Sequence, residues 1–321
     1  MIKLARNLYK DFEEEYFAWV KEKLKHGKSL IRSINRSTKD CSKYSIDKND
    51  HEAFLRALII CPFAKESRNK FPILKAYYQF IKGKRADPLL INKKSISNIL
   101  NYKRFMDFSK NNKILREYII EASKVEVCPY CNRQYIDVFK RSDKGYKAIA
   151  QLDHFYPKEQ FPLYALSLYN FVPSCASCNQ GKSATSNKLI YPFTEKSVEE
   201  NRKPYFHIQP LNLDQLRGNV LPDISYAFNK DSTKKTQKKL EQAEFLHHKN
   251  MYQNHKQFAQ RLLRVKRLDN SNYIAQVKDF FPKLSDEEIR EVLFGFSGDL
   301  EELKQKPLSK LAHDMLDLIK K

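Results

Sequence analysis

The chain has 321 residues, of which 30% are charged and only 7 are glycine, and it carries a formal net charge of +21. That length can bury a substantial core, while a mean hydropathy of −0.66 and the lack of any long apolar run exclude a membrane helix. The basic excess predicts a polyanionic partner, because lysine and arginine neutralise phosphates and release counterions.

The opening stretch, MIKLARNLYKDFEEEYFAWV, lacks the apolar block and cleavage site of a signal peptide, which predicts a cytoplasmic protein. Leu4, Leu8, Phe12 and Tyr16 recur every fourth residue and predict an amphipathic helix. HEAFLRALIICPFA and NKILREYIIEASK carry the same helical spacing, and Pro62, Pro72 and Pro88 divide the region into short helices. Residues 1–122 therefore read as a basic helical region, with 27 basic against 14 acidic residues.

The pattern changes at Val125. RQYIDVF and YKAIAQLDHF alternate apolar and polar residues around the corner KRSDKG, which is a hairpin signal. YALSLYNFV predicts another extended piece, and SCASCNQGKSATSN a short helix. This segment, 123–200, is nearly neutral, with 10 basic and 8 acidic residues. The third region, 201–321, begins with extended candidates in YFHIQP and VLPDISYAF. It continues as one long amphipathic helix over TQKKLEQAEFLHHKNMYQNHKQFAQRLLRVKRL. Ser285 and Glu288 predict a capping box, and LSKLAHDMLDLIKK a last helix. The predicted class is α+β and mostly helical, in three parts.

Four of the six cysteines form two Cys-x-x-Cys knuckles, Cys128–Cys131 and Cys175–Cys178. In a reducing compartment such pairs predict tetrahedral zinc, and two knuckles fill all four positions of a closed, structural site. Bound metal would staple a segment too short to fold on its own apolar area. Cys41 and Cys61 have no such partners and read as reduced thiols.

Between the knuckles lie Asp153, His154 and Asn170, and just beyond them Asn179 and Lys182. A hard cation such as Mg2+ takes oxygen ligands and keeps several waters, so one Asp and one Asn suffice with a substrate phosphate. A neighbouring imidazole can accept a proton from water, though adjacent residues on a strand point opposite ways. Lys182 can contact a phosphate. His247, His248 and His255 read as solvated or capping residues, since adjacent helical histidines splay by about 100°. The Lys234–Lys235 and Lys238–Lys239 run reads as a solvated face.

In order, these motifs are Cys-x-x-Cys, Leu-Asp-His-Phe-x-Pro-Lys and Tyr-Asn-Phe-x-Pro-Ser-Cys-x-x-Cys-Asn-x-x-Lys. The set, over about 125–195, resembles the HNH nucleases of the ββα-metal class in their zinc-knuckle variety. The resemblance implies that His154 is the general base and that Asp153 and Asn179 ligate Mg2+. It further implies that Asn170 ties down the loop between the second strand and the helix. It implies a Mg2+-dependent endonuclease with a structural Zn2+, acting on DNA. More loosely, the segment resembles the HNH subunit of Septu-type anti-phage systems, which implies an ATPase partner. Two rival readings stay open: an RNA- or tRNA-cleaving HNH nuclease, and a non-catalytic zinc-knuckle subunit that binds nucleic acid.

Overall fold

The structure is a computed structural model and describes residues 2–37, 42–89, 93–106, 109–110, 113–141, 145–185, 188–209, 212–227 and 233–319. Cys41 lies outside the described residues. The helices of the first third are α1 Glu13–Lys23, α2 Lys28–Ser37, α3 His51–Ile59, α4 Lys65–Lys70, α5 Pro72–Ile81, α6 Lys93–Ile99, α7 Tyr102–Met106 and α8 Leu115–Ala122. They are followed by α9 Ala176–Lys182, α10 Ser197–Arg202, α11 Leu213–Leu216, α12 Lys234–Phe245, α13 His248–Gln253, α14 Lys256–Lys266, α15 Ser271–Phe280, α16 Asp286–Phe294 and α17 Ser309–Ile319. None of the described helices is long and apolar enough to cross a membrane.

The strands pair two by two. β1 (Leu4–Ala5) runs parallel to β8 (Phe193–Thr194). The other pairs are antiparallel: β2 (Ser109–Lys110) with β3 (Lys113–Ile114), β4 (Val138–Arg141) with β5 (Gly145–Ala148), β6 (Gln151–His154) with β7 (Phe171–Ser174), and β9 (Phe206–Gln209) with β10 (Asp223–Tyr226). The expected hairpin over 133–155 and the two extended pieces after 200 are therefore present. The protein is mixed helix and sheet, mostly helical, with small sheets.

One hydrophobic cluster runs from Leu4 through α1, α3 and α5 into the cysteine-bearing segment as far as Phe193. The basic helices and that segment thus share a core. A second cluster joins Tyr205, Phe206 and Ile224 to α14 and α17.

Three stretches differ from the pattern read in the sequence. The helix expected from Leu4 begins only at Glu13, because Leu4 is paired in register with Phe193. Asn201 fixes this strand by bonding both the N–H (2.7 Å) and the carbonyl (2.8 Å) of Lys3. The extended piece expected over 164–172 is mostly two 3-10 turns, Pro162–Tyr164 and Leu168–Asn170, with the strand starting at Phe171. The long helix expected after Thr236 is broken into α12, α13 and α14, with His247 in the left-handed region at φ 54°. The break lets Tyr252 donate to the Cys131 carbonyl at 2.7 Å, a tertiary bond that outweighs helical continuity.

Candidate metal centre and the Asp-His strand

The first knuckle is a tight turn closed by the Asn132 N–H on the Cys128 carbonyl at 2.7 Å, with Asn132 at φ 51°. The second opens α9, where Cys175 is the N-cap and Cys178 lies in the first turn. All four cysteines are buried, and their sulfurs lie within 4.8 Å of one another. The Cys131 and Cys175 sulfurs are 4.0 Å apart, which suits a tetrahedral site with Zn–S of about 2.3 Å, where sulfurs sit about 3.8 Å apart. This cluster can hold a metal ion such as zinc. Hydrogen bonds among the sulfurs, that from Cys128 foremost, draw the Cys131 and Cys175 thiols toward thiolate and push Cys178 the other way, while burial raises Cys128.

Asn132 extends the brace. Its amide donates to the Leu303 carbonyl at 2.9 Å and accepts from the Lys310 N–H at 2.7 Å. The knuckle is thereby bolted to the last helix of the chain.

β6 and β7 pair across the loop 155–170, and β7 leads directly through Cys175 into α9. Strand alternation puts Gln151 and Asp153 on one face of β6, and both bond to α9. Gln151 accepts from the Asn179 amide at 2.7 Å, and Asp153 Oδ1 accepts from Lys182 Nζ at 2.9 Å. Asp153 Oδ2 accepts from the Tyr130 hydroxyl at 2.6 Å, and Tyr130 sits between the two cysteines of the first knuckle. Asp153 is 3% exposed and Lys182 1%. Burial lifts the Asp153 carboxyl above its ordinary pKa even though Lys182 and Tyr130 pull the other way.

His154 lies on the opposite face of the strand. Its ring packs edge-on against Tyr102 (4.5 Å between centroids) and Phe171 (5.0 Å). Its Nε2 is 3.0 Å from the Ala165 carbonyl. A carbonyl can only accept, so Nε2 carries the proton and Nδ1 holds the lone pair. Burial pushes the imidazole pKa down to about 3, so the ring is neutral at physiological pH. The residue keeps 8% exposure.

The four cysteines come together. Asp153 and Asn179 share the α9-facing side of β6, and Asn179 Oδ1 makes no hydrogen bond among the described residues. His154 points away from them, as strand geometry requires, so the three side chains do not converge on one shared cavity. Asn170 is buried. Its amide donates to the carbonyls of Tyr156 and Tyr164, both at 3.0 Å, and its oxygen accepts from the Tyr156 N–H at 2.9 Å. The loop it ties is the one between the two strands, 155–170, not one between the second strand and the helix. Lys182 corrects the expectation of a phosphate contact: its ammonium is spent internally, on Asp153 and on the His154 carbonyl at 2.7 Å. Cys61 is an exposed free thiol. His248 is buried against the Tyr205 hydroxyl at 2.8 Å, and His255 accepts from Arg133 Nε at 2.9 Å, so neither is a solvated residue.

Tyr130, Gln151 and the Ala165 carbonyl are site groups that the motif reading missed. Tyr130 was visible inside the first knuckle, though nothing in the sequence aims its hydroxyl at Asp153. A backbone carbonyl has no sequence signal at all.

Among curated proteins the chain is similar to protein ea31 of Escherichia phage lambda, with 23% identity over 179 residues, which are 52% of this chain and 55% of that protein. The chain thus spans about half the length of that relative. No family model and no solved structure matches it.

Proposed function

We propose that the chain is a Mg2+-dependent endonuclease of the HNH, ββα-metal kind, with a structural Zn2+ on the four cysteines, hydrolysing phosphodiester bonds in DNA. The observation that carries this reading is the pairing of His154 with the Ala165 carbonyl on a strand that leads, through β7, into the cysteine-capped helix bearing Asn179. That bond selects one tautomer and leaves Nδ1 as the proton acceptor, the form a general base needs before it meets water. Asn170 holds the loop that supplies the carbonyl, so the orientation of the base is built into the fold.

Asp153 and Asn179 are the residues that would hold Mg2+; their carboxylate and amide oxygens are hard donors, and each carboxylate oxygen keeps a lone pair beyond those used by Lys182 and Tyr130. Bound there, on the face of β6 opposite His154, the cation would supply stabilisation for charge developing on a phosphate that the base would have to reach from the other side of the strand. Lys182 opposes the burial that raises the Asp153 carboxyl and so favours its ionised form when no cation is present. The net charge of +13 over residues 1–122 supports a grip on the nucleic-acid backbone. The Septu-type resemblance supports an ATPase partner that restrains the nuclease until it is needed.

One observation favours a second reading. The Asp153–Lys182 pair is buried and already paired without a cation, which also suits a non-catalytic zinc-knuckle module that binds nucleic acid. Incubation of the zinc-loaded protein with plasmid and with total RNA, in Mg2+ or EDTA, separates the readings. The proposal requires plasmid cleavage that needs Mg2+ and is lost in His154→Ala. Selective RNA loss moves the substrate class, and binding without turnover of either polymer supports the module.

A further inference from the structure

A cleft of about 400 Å3 lies beside the loop 155–170, with Tyr156 and Tyr169 among its walls. That volume falls in the range of small-molecule sites. Phe63, Tyr78, Tyr191 and Phe193 complete an aromatic lining, in which Tyr156 and Tyr191 stack at 18° and 6.0 Å. Into this apolar cleft reach a carboxylate and a lysine with distinct roles. Glu13, the first residue of α1, accepts from the Tyr169 hydroxyl through Oε1 at 2.7 Å. Its Oε2 makes no hydrogen bond among the described residues, which leaves one acceptor of a cleft-lining carboxylate free. Lys82 donates to the Tyr156 hydroxyl at 3.3 Å, lies over the Tyr78 and Tyr156 rings, and has no acidic partner among the described residues. The other cations at the cleft, Arg6 and Lys196, pair with Glu195 and Glu199.

An aromatic wall suits a flat ring, a free carboxylate oxygen suits an exocyclic amine on that ring, and an ammonium with no carboxylate partner suits an anion. We propose that this cleft binds a nucleotide, with a base bearing an exocyclic amine held by Glu13 among the aromatic rings and a phosphate held by Lys82. The inference does not rest on the nuclease reading, since binding needs neither Mg2+ nor His154.

The test is calorimetric titration of the full zinc-loaded chain with AMP, CMP, GMP and UMP. Site-resolved alkylation of Cys61, whose thiol lines the same cleft, provides a second readout. AMP, CMP and GMP should bind at least tenfold more tightly than UMP, which lacks the amine and whose one ring donor, N3–H, is flanked by two carbonyls that repel a carboxylate, and they should slow Cys61 alkylation. Glu13→Gln should erase the preference over UMP. Lys82→Gln, at an exposed position, should weaken AMP at least fivefold and leave adenosine unchanged. Absence of binding and of Cys61 protection with all four nucleotides overturns the site, as does AMP binding unaltered in Lys82→Gln. Competition with a single-stranded oligonucleotide assigns the source. Displacement of AMP means the slot takes a base of a bound strand, and simultaneous binding means it takes a free nucleotide; either result upholds the chemistry. Loss of plasmid cleavage with nucleotide binding intact would count against the nuclease and leave this site standing.

Discussion

Replacing Lys182 by Met keeps the side-chain volume and removes the charge that neutralises Asp153. The pair is dry, with 1% and 4% side-chain exposure, and Nζ lies 2.9 Å from Oδ1. The substitution leaves the carboxylate only the Tyr130 hydroxyl and strips the His154 carbonyl of its 2.7 Å donor. Removing one member of a buried pair costs about 3–5 kcal/mol, whereas replacing both with neutral groups is often close to neutral. Lys182→Met should therefore lose about 3–5 kcal/mol in urea unfolding at constant zinc, and Lys182→Met/Asp153→Asn should recover most of it. The coupling energy of the cycle should reach about 2 kcal/mol or more. A single-variant loss below about 1 kcal/mol, or strictly additive losses, would refute the placement of this pair in the core.

Cys128→Ser should lose the bound metal and unfold the central segment, and Co2+ substitution of the wild type should give the absorption of a tetrahedral tetrathiolate; a folded, metal-free Cys128→Ser protein by circular dichroism would contradict the stapling role. Asn170→Ala deletes three hydrogen bonds of 2.9–3.0 Å to a buried loop and should cost about 2–4 kcal/mol, measured by denaturant titration, without changing zinc content. Acid should destabilise the fold through His248. Burial holds this imidazole well below its ordinary pKa, with Arg133 and His247 pushing the same way and the Tyr130 backbone opposing. The unfolded chain then binds the extra proton, so His248 contributes no loss above about pH 6.5 and progressive loss as pH falls below it. His248→Gln should flatten that part of the stability-versus-pH curve, and an unchanged curve would contradict the assignment.

The sequence carried the local rules well. Paired Cys-x-x-Cys spacing announced a four-sulfur cluster because two thiolates per turn is a property of the turn itself. Ser285 and Glu288 form their capping box with the hydroxyl accepting from the Glu288 N–H at 3.2 Å. What it did not carry were long-range choices. Leu4 has a helix-like spacing, yet its partner is Phe193, far along the chain, and the strand wins. Lys182 looks like a surface cation in a one-dimensional reading, and only the contact of α9 with β6 turns it inward to Asp153. His247 breaks a helix whose periodicity is continuous, because Tyr252 is needed at the Cys131 carbonyl. The opposed directions of Asp153 and His154 were implied by strand alternation, but only the β6–β7 register shows that the strand extends through both residues.

The central proposal is that His154, positioned by the Ala165 carbonyl, would take the proton from the attacking water. Single-turnover cleavage of DNA by wild type and by His154→Ala, at saturating Mg2+ and with equal zinc content, addresses it most directly. The account predicts a loss of at least about a hundredfold with the fold and DNA affinity retained. Cleavage by His154→Ala at the wild-type rate would contradict it.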